Sequence, residues 1–258
     1  KRQVWGFPYA DLVMGCHMAN PTNVFRAMAT GDPYQIKALF VLGNNTLLSY
    51  ANQHQILKAL NNQELIVAHE IFMTPTAMLA DYVLPGDVFT ERNHIADSWS
   101  WTNRLTLSQK AVEPPIQASS TFEFWSDLGR RMGFAEHFPW DSLEDLLDYR
   151  LSRSNRTFAQ FEQTSYMEAP TPKFRKYRKT GFATPSGKVE LYSSILADLN
   201  FDPLPYYREG PSPDKKYPYL VFTGVREDPF FQTGQRNISV LRSRCPAVSY
   251  THLRAHET

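Results

Sequence analysis

Three short apolar runs, each closed by a turn signal, constrain this chain more than anything else in it. Ile36–Leu42 (IKALFVL) is nearly all apolar and rich in strand formers, the pattern of a strand buried on both faces. Leu65-Ile66-Val67-Ala68 is the second run, and Asp81-Tyr82-Val83-Leu84-Pro85 is the third, stopped by its proline. Between the first two, Ile56, Leu57 and Leu60 fall on one helical face. Between the last two, Thr74 is placed to cap a short helix with Pro75 at its first position, where a missing N–H costs nothing. The order β-α-β-α-β predicts an α/β fold, a parallel sheet flanked by helices.

Beyond the third run, Ser120 and Glu123 form a capping box ahead of Phe122, Trp125, Leu128 and Met132, with Gly133 as the stop. Asp141 and Glu144 read as the same device before Leu143, Leu146, Leu147 and Leu151. From Ser152 to Thr180 the periodicity fails, which places a boundary near residue 150. The basic run Lys173–Lys179 (KFRKYRK) reads as a solvated or inter-domain strand. Val189 and Leu191 alternate with Glu190 and Tyr192 as in a half-buried strand. Gly210–Asp214 is a linker, and Tyr217–Thr223 (YPYLVFT) opens a new β region.

A net charge of +1 gives no electrostatic case for nucleic acid or an anionic membrane. No apolar run approaches the roughly 18 residues of a membrane span, and the first residues lack the signature of a signal peptide. The two cysteines, Cys16 and Cys245, cannot build a four-cysteine iron–sulfur or zinc site.

The candidate site residues gather where such a sheet binds ligands, at the carboxyl ends of its strands. Gly43-Asn44-Asn45 ends the first strand with residues that tolerate positive φ and leave backbone N–H groups free for phosphate. Glu70 ends the second, where a carboxylate can accept from a ribose or a guanine N–H pair. His69 beside it reads as a packed or exposed histidine, and Asp81 as the residue that orients entry into the third strand. Glu91-Arg92-Asn93-His94 follows that strand, with groups able to move protons. Thr223-Gly224-Val225-Arg226 ends a later strand with a flexible turn and a cation suited to phosphate. Thr184–Lys188 (TPSGK) is not a phosphate loop, because Phe182 stands where its first glycine is needed and Val189 where a hydroxyl should be.

The segments IKALFVLGNN, LIVAHEIFMTPTAMLADYVLP, ERN, KAVEPP, FATPSGKVELYS, PLPYY, YPYLVFTGVRE and GQRNISVLR, in this order, resemble the molybdopterin oxidoreductase family. Those are enzymes that carry molybdenum or tungsten on a bis(molybdopterin guanine dinucleotide) cofactor. The resemblance implies that residues 1–148 are part of a discontinuous αβα cofactor domain. It makes residues 149–213 a connection toward an iron–sulfur domain and residues 214–247 the start of a C-terminal β-barrel domain; residues 248–258 leave the pattern. It implies that Gly43, Asn44 and Asn45 contact the cofactor's phosphates, Glu70 its guanosine, and Thr74 and Asp81 the surroundings of the nucleotide. Thr223, Gly224 and Arg226 match a late cofactor-contacting turn. The departures are Asn45-Thr46 for the usual Asn-Pro, expected to loosen the turn, and Glu70 for the usual Asp. The sequence Glu91–His94 is closer to the dimethyl sulfoxide reductase, acetylene hydratase and transhydroxylase branch.

On this resemblance the chain is expected to be an internal fragment of a catalytic subunit. A 4Fe-4S cluster and the metal-ligating side chain would lie upstream of Lys1. The partners implied are a small-molecule substrate and an electron-transfer iron–sulfur subunit. Glu91 and His94 are the only substrate-side candidates. The alternatives are a pterin-free iron–sulfur scaffold subunit of a respiratory complex sharing the fold, and a free-standing nucleotide-binding module.

Overall fold

A computed structural model describes residues 19–97, 104–164, 166–168, 173–210, 212–220 and 233–244. The chain divides into two compact units, Lys1–Ala169 with Gln232–Thr258, and Pro170–Phe231.

Among the described residues the first unit begins with helix α1 (Pro21–Thr30). Asn20 caps it by accepting the N–H of Thr22 at 3.0 Å, Pro21 takes the first position, and Gly31 ends it at φ +75°. Strand β1 (Ala38–Leu42) follows, then a single helical turn α2 (Thr46–Ser49), helix α3 (Gln53–Asn61) and strand β2 (Leu65–Glu70). One 3-10 turn at Ala77–Leu79 leads to strand β3 (Tyr82–Pro85). The three strands form a parallel sheet with β2 in the middle, in the register Phe40↔Val67 and Ala68↔Val83. The parallel β-α-β expectation therefore holds, although the second crossover is a turn rather than a full helix.

Strand alternation sends Leu39, Val41 and Ile66 to one face, where they pack with Phe25 and Met28 of α1 and Ile56, Ala59 and Leu60 of α3. On α3 the buried stripe is Ile56, Ala59 and Leu60, while Leu57 is exposed. A narrow i, i+3, i+4 stripe is sufficient for so short a helix. Phe40 and His69 point to the opposite face. There α4 (Thr121–Arg131) sets Phe124 and Trp125 at ring-centroid distances of 5.9 and 5.7 Å from Phe40. The sheet is thus covered on both sides, as its apolar sequence requires.

A second, antiparallel sheet contains β4 (His94–Asp97), β5 (Arg104–Ser108) and β6 (Tyr166–Glu168), with β5 central. Its core joins Ile95, Leu147, Leu151, Phe158 and Phe161. These come from β4, helix α5 (Leu143–Leu151) and helix α6 (Phe158–Glu162). The chain past residue 150 therefore keeps packing on the first unit, with α6 and β6 where periodicity gave no signal. Two buried phenylalanines on a five-residue helix are too few to reveal a period.

Ser120 and Glu123 close the expected capping box, and Gly133 follows that helix at φ +88°. The second box is shifted from the expected pair. Ser142 and Asp145 exchange bonds of 3.1 and 3.0 Å, and Asp141 is left at the surface 3.7 Å from Arg130. A hydroxyl accepts from the third helical N–H and leaves its own backbone N–H for the carboxylate, so Ser142 displaces its neighbour.

In the second unit, Lys173–Lys179 is exposed as expected but is not a strand. Arg175 has φ +56°, and Tyr177–Thr180 forms a helical turn, α7. The tight turn at Thr184–Lys188 is present, with the N–H of Gly187 donating to Thr184 O at 3.0 Å. The strand expected after it does not form, and Val189, Leu191 and Tyr192 are exposed. Alternation makes a strand only where a neighbouring strand takes its backbone groups. Helix α8 (Ser194–Asp198) completes the regular structure of this unit among the described residues. Tyr217–Leu220 carries no strand, and of the downstream residues only helix α9 (Ser239–Arg244) and a 3-10 turn before it are described. Residues 221–232 and 245–247 of the expected barrel start (214–247), and the tail 248–258, lie outside the described residues. No helix among the described residues is long and apolar enough to cross a membrane.

Candidate functional site at the carboxyl edge of the parallel sheet

Three loops leave the carboxyl ends of β1, β2 and β3 side by side. After β1, Gly43 turns the chain at φ +56°, a conformation that favours glycine. Its own N–H is spent on the last rung of the ladder, donating to His69 O at 3.0 Å. The next three backbone N–H groups, of Asn44, Asn45 and Thr46, meet no acceptor among the described residues. Among the described residues nothing lies within 4 Å of where a Cβ on Gly43 would stand.

The loop after β2 holds this turn in place. Thr76, 1% exposed, donates its hydroxyl to Asn45 Oδ1 at 2.9 Å and accepts the N–H of Leu47 at 2.9 Å. Thr46 is buried too and donates to Asn44 Oδ1 at 3.1 Å. The turn is thus tied at two points, where loosening was expected from the absence of proline. Thr74 caps as expected, accepting the N–H of Ala77 at 3.1 Å. Glu70 folds one carboxylate oxygen back onto the N–H of Ile71 at 2.9 Å and leaves Oε2 without a partner among the described residues.

The loop after β3 carries a second cluster. Ser119, just before α4, donates its N–H to Pro85 O and accepts from Asp87 N, while His69 Nε2 lies 2.9 Å from Ser119 O. A carbonyl only accepts, so that nitrogen carries a proton. His69 is buried, as a packed histidine. The Asp87 carboxylate, 4% exposed, pairs with Arg92. Burial pushes its acid strength down, and the pKa stays above the usual 3.8 although Arg92 and His69 pull it back. Glu91 and Glu123 add to the upward push.

Of the residues expected at this edge, Gly43, Asn44, Asn45, Glu70 and Thr74 are brought together. Asp81 is not. It lies at the opposite, amino edge, where its carboxylate accepts the N–H of Ile66 at 2.7 Å and its own N–H donates to Ile66 O. Its place matches the expected role of orienting entry into β3. Glu91 Oε2 closes a turn on Val88 N at 2.9 Å, and His94 opens β4 opposite Ser108. Thr223, Gly224 and Arg226 lie outside the described residues. Thr76 was not singled out in the sequence. Only the neighbouring Thr74 stood at a capping position, and nothing local marks a hydroxyl that reaches a loop far back in the chain. Among the described residues no group of His, Cys, Asp and Glu is arranged to hold a metal ion.

Residues 11–131 match the family model described as molybdopterin oxidoreductase. The chain is 44% identical over 251 residues to acetylene hydratase of Syntrophotalea acetylenica, covering 95% of this chain and 34% of that protein. It is 26% identical to dimethyl sulfoxide reductase DmsA of Escherichia coli over 81% of this chain and 30% of that protein. Among solved structures, acetylene hydratase from Pelobacter acetylenicus superposes with a TM-score of 0.83 at 42% identity, over 95% of this chain and 34% of that one. The chain spans about a third of the length of these relatives. The ordered segments, the tied turn at the sheet edge and these matches lead to one assignment: the chain belongs to the molybdopterin oxidoreductase family, a family of enzymes.

Proposed function

We propose that this chain is a cofactor-holding part of a bis(molybdopterin guanine dinucleotide) enzyme, and that the turn Gly43–Thr46 seats one phosphate group of the nucleotide. The observation that carries this is the set of three backbone N–H groups at the carboxyl edge of a parallel sheet that no acceptor among the described residues claims. Such a cluster of donors suits an anion and nothing positively charged. Glu70 Oε2, without a partner among the described residues, accepts from guanosine N–H groups in this reading, and Thr74 shapes the loop between the two contacts. Thr223, Gly224 and Arg226 form a further contact in this reading. Asp81 serves it by fixing β3 against β2.

When bound, the molybdenum or tungsten with its dithiolenes supplies the bond making and the electron pair. The residues described here bind and orient. The parent protein acts on a small substrate by two-electron oxygen-atom or hydroxyl transfer, with a 4Fe-4S cluster and an electron-transfer iron–sulfur subunit completing the path. The 44% identity to a hydratase supports, as a second reaction class, redox-neutral addition of water.

The test is acid release of bound ligand from the purified full-length protein. Guanine nucleotide, pterin and molybdenum or tungsten are expected together. Their joint absence overturns the proposal and points to the iron–sulfur scaffold role.

A further inference from the structure

We infer that Thr76 is a positioning residue that fixes the side-chain amide of Asn45, so that the Gly43–Thr46 turn presents the N–H end of that amide, and not its oxygen, to a phosphate group. The inference rests on the reading of that turn given under Proposed function.

The reasoning is one of proton counting. A threonine hydroxyl has one proton to give and two lone pairs to receive with. One lone pair of Thr76 is taken by the N–H of Leu47 at 2.9 Å. At 1% exposure no bulk water reaches the side chain, so its proton must find an acceptor within the protein. Asn45 Oδ1, 2.9 Å away, is that acceptor. Were the Asn45 amide flipped, Thr76 would face two donors and its own proton would be stranded in the interior, a costly arrangement. The flip is therefore excluded by Thr76 and not by Asn45 itself.

The consequence falls on the other end of the amide. With its oxygen held inward, Asn45 leaves Nδ2 without an acceptor among the described residues. Its two N–H groups are added to the unclaimed backbone N–H groups of Asn44, Asn45 and Thr46. Asn44 Oδ1 is likewise occupied by the Thr46 hydroxyl. Both side-chain oxygens that would repel an anion are thus engaged internally. The arrangement discriminates: it welcomes a phosphate oxygen and offers no free oxygen from either asparagine side chain to a cation.

Three variants of the full-length protein test this: Thr76→Ser, Thr76→Val and Asn45→Asp. Guanine nucleotide retained per polypeptide after extended dialysis is measured beside the thermal unfolding midpoint. Thr76→Ser keeps the hydroxyl and is expected to retain nucleotide within about twofold of the parent. Thr76→Val frees the amide to flip and is expected to reduce retention by about tenfold or more. Asn45→Asp keeps an acceptor for Thr76 and a good residue before a helical turn, yet puts a carboxylate where the donors were. It is expected to lose nucleotide with an unchanged midpoint, which a purely structural role does not allow. If Thr76→Val fails to fold, Asn45→Asp decides alone. Parent-like retention in Asn45→Asp overturns the inference and leaves the seat itself standing. A parent protein that carries no guanine nucleotide overturns the seat and the inference with it.

Discussion

The imidazole of His69 lies 3.1 Å from the point where a Cβ on Gly86 would stand. The residue after β3 is therefore a glycine for space and not for backbone freedom. The ring that fills the space also reaches Ser119 O and packs against Phe124 at a centroid distance of 5.5 Å. One side chain thus joins the end of β2, the end of β3 and the start of α4.

Replacing Gly86 by alanine is expected to push the ring off Ser119 and to cost about 1–3 kcal/mol, the usual price of overpacking. Denaturant unfolding of the Gly86→Ala variant checks this. Stability unchanged from the parent would mean that the ring moves without resistance.

Asp87 gives a pH signature. Its folded pKa is raised above 3.8, chiefly by burial, so the folded state holds the proton more tightly than the unfolded chain does. The associated stability is complete below 3.8 and is lost as pH rises through the raised value. Relative to Asp87→Asn, which does not titrate, the parent is expected to lose stability with rising pH in that window, by at most about 1.4 kcal/mol per pH unit. A parent that gains on the variant over the same range would reverse the sign. Arg92→Ala removes the strongest opposing influence and is expected to cost a further ~1–3 kcal/mol at neutral pH, read from the same unfolding curves.

Ser142 and Asp141 are adjacent and differ sharply in what they hold. Ser142→Ala opens a capping box and is expected to cost about 1 kcal/mol. Asp141→Ala touches only a surface ion pair and is expected to stay within about 0.5 kcal/mol of the parent. Paired thermal melts separate the two, and equal losses would place the helix start one residue earlier.

Phe161, on α6, is fully buried in the cluster it forms with Ile95 of β4 and Leu147 and Leu151 of α5. Phe161→Ala is expected to cost about 3–5 kcal/mol and to expose the sheet's inner face to a hydrophobic dye. A loss below about 1 kcal/mol would show that this core closes without it.

How much of this was legible depends on the range over which each element is specified. The parallel sheet could be read because β1, β2 and β3 each carry their own apolar run and their own stop within fifty residues of chain. Caps could be read to within one residue, since Ser120 with Glu123 and Thr74 with Pro75 act on N–H groups of the same turn. The antiparallel sheet could not, because β6 is only Tyr166–Glu168 and exists by pairing with distant Arg104–Thr106. The reverse error at Val189–Tyr192 has the same cause, an alternation with no strand to answer it. At the candidate site, the Gly43 turn was visible in its residue types. The Thr76 link was not, because a hydroxyl's partner across two loops leaves no local trace.

The pairing of β6 with β5 also orders events on the ribosome. β4 and β5 emerge as a hairpin long before Phe158, Phe161 and β6 have been made. At about 5–20 residues per second, the pair waits for seconds with the outer edge of β5 unclaimed and the apolar side chains of Leu105 and Leu107 uncovered. Slow codons between residues 108 and 158 would lengthen that wait.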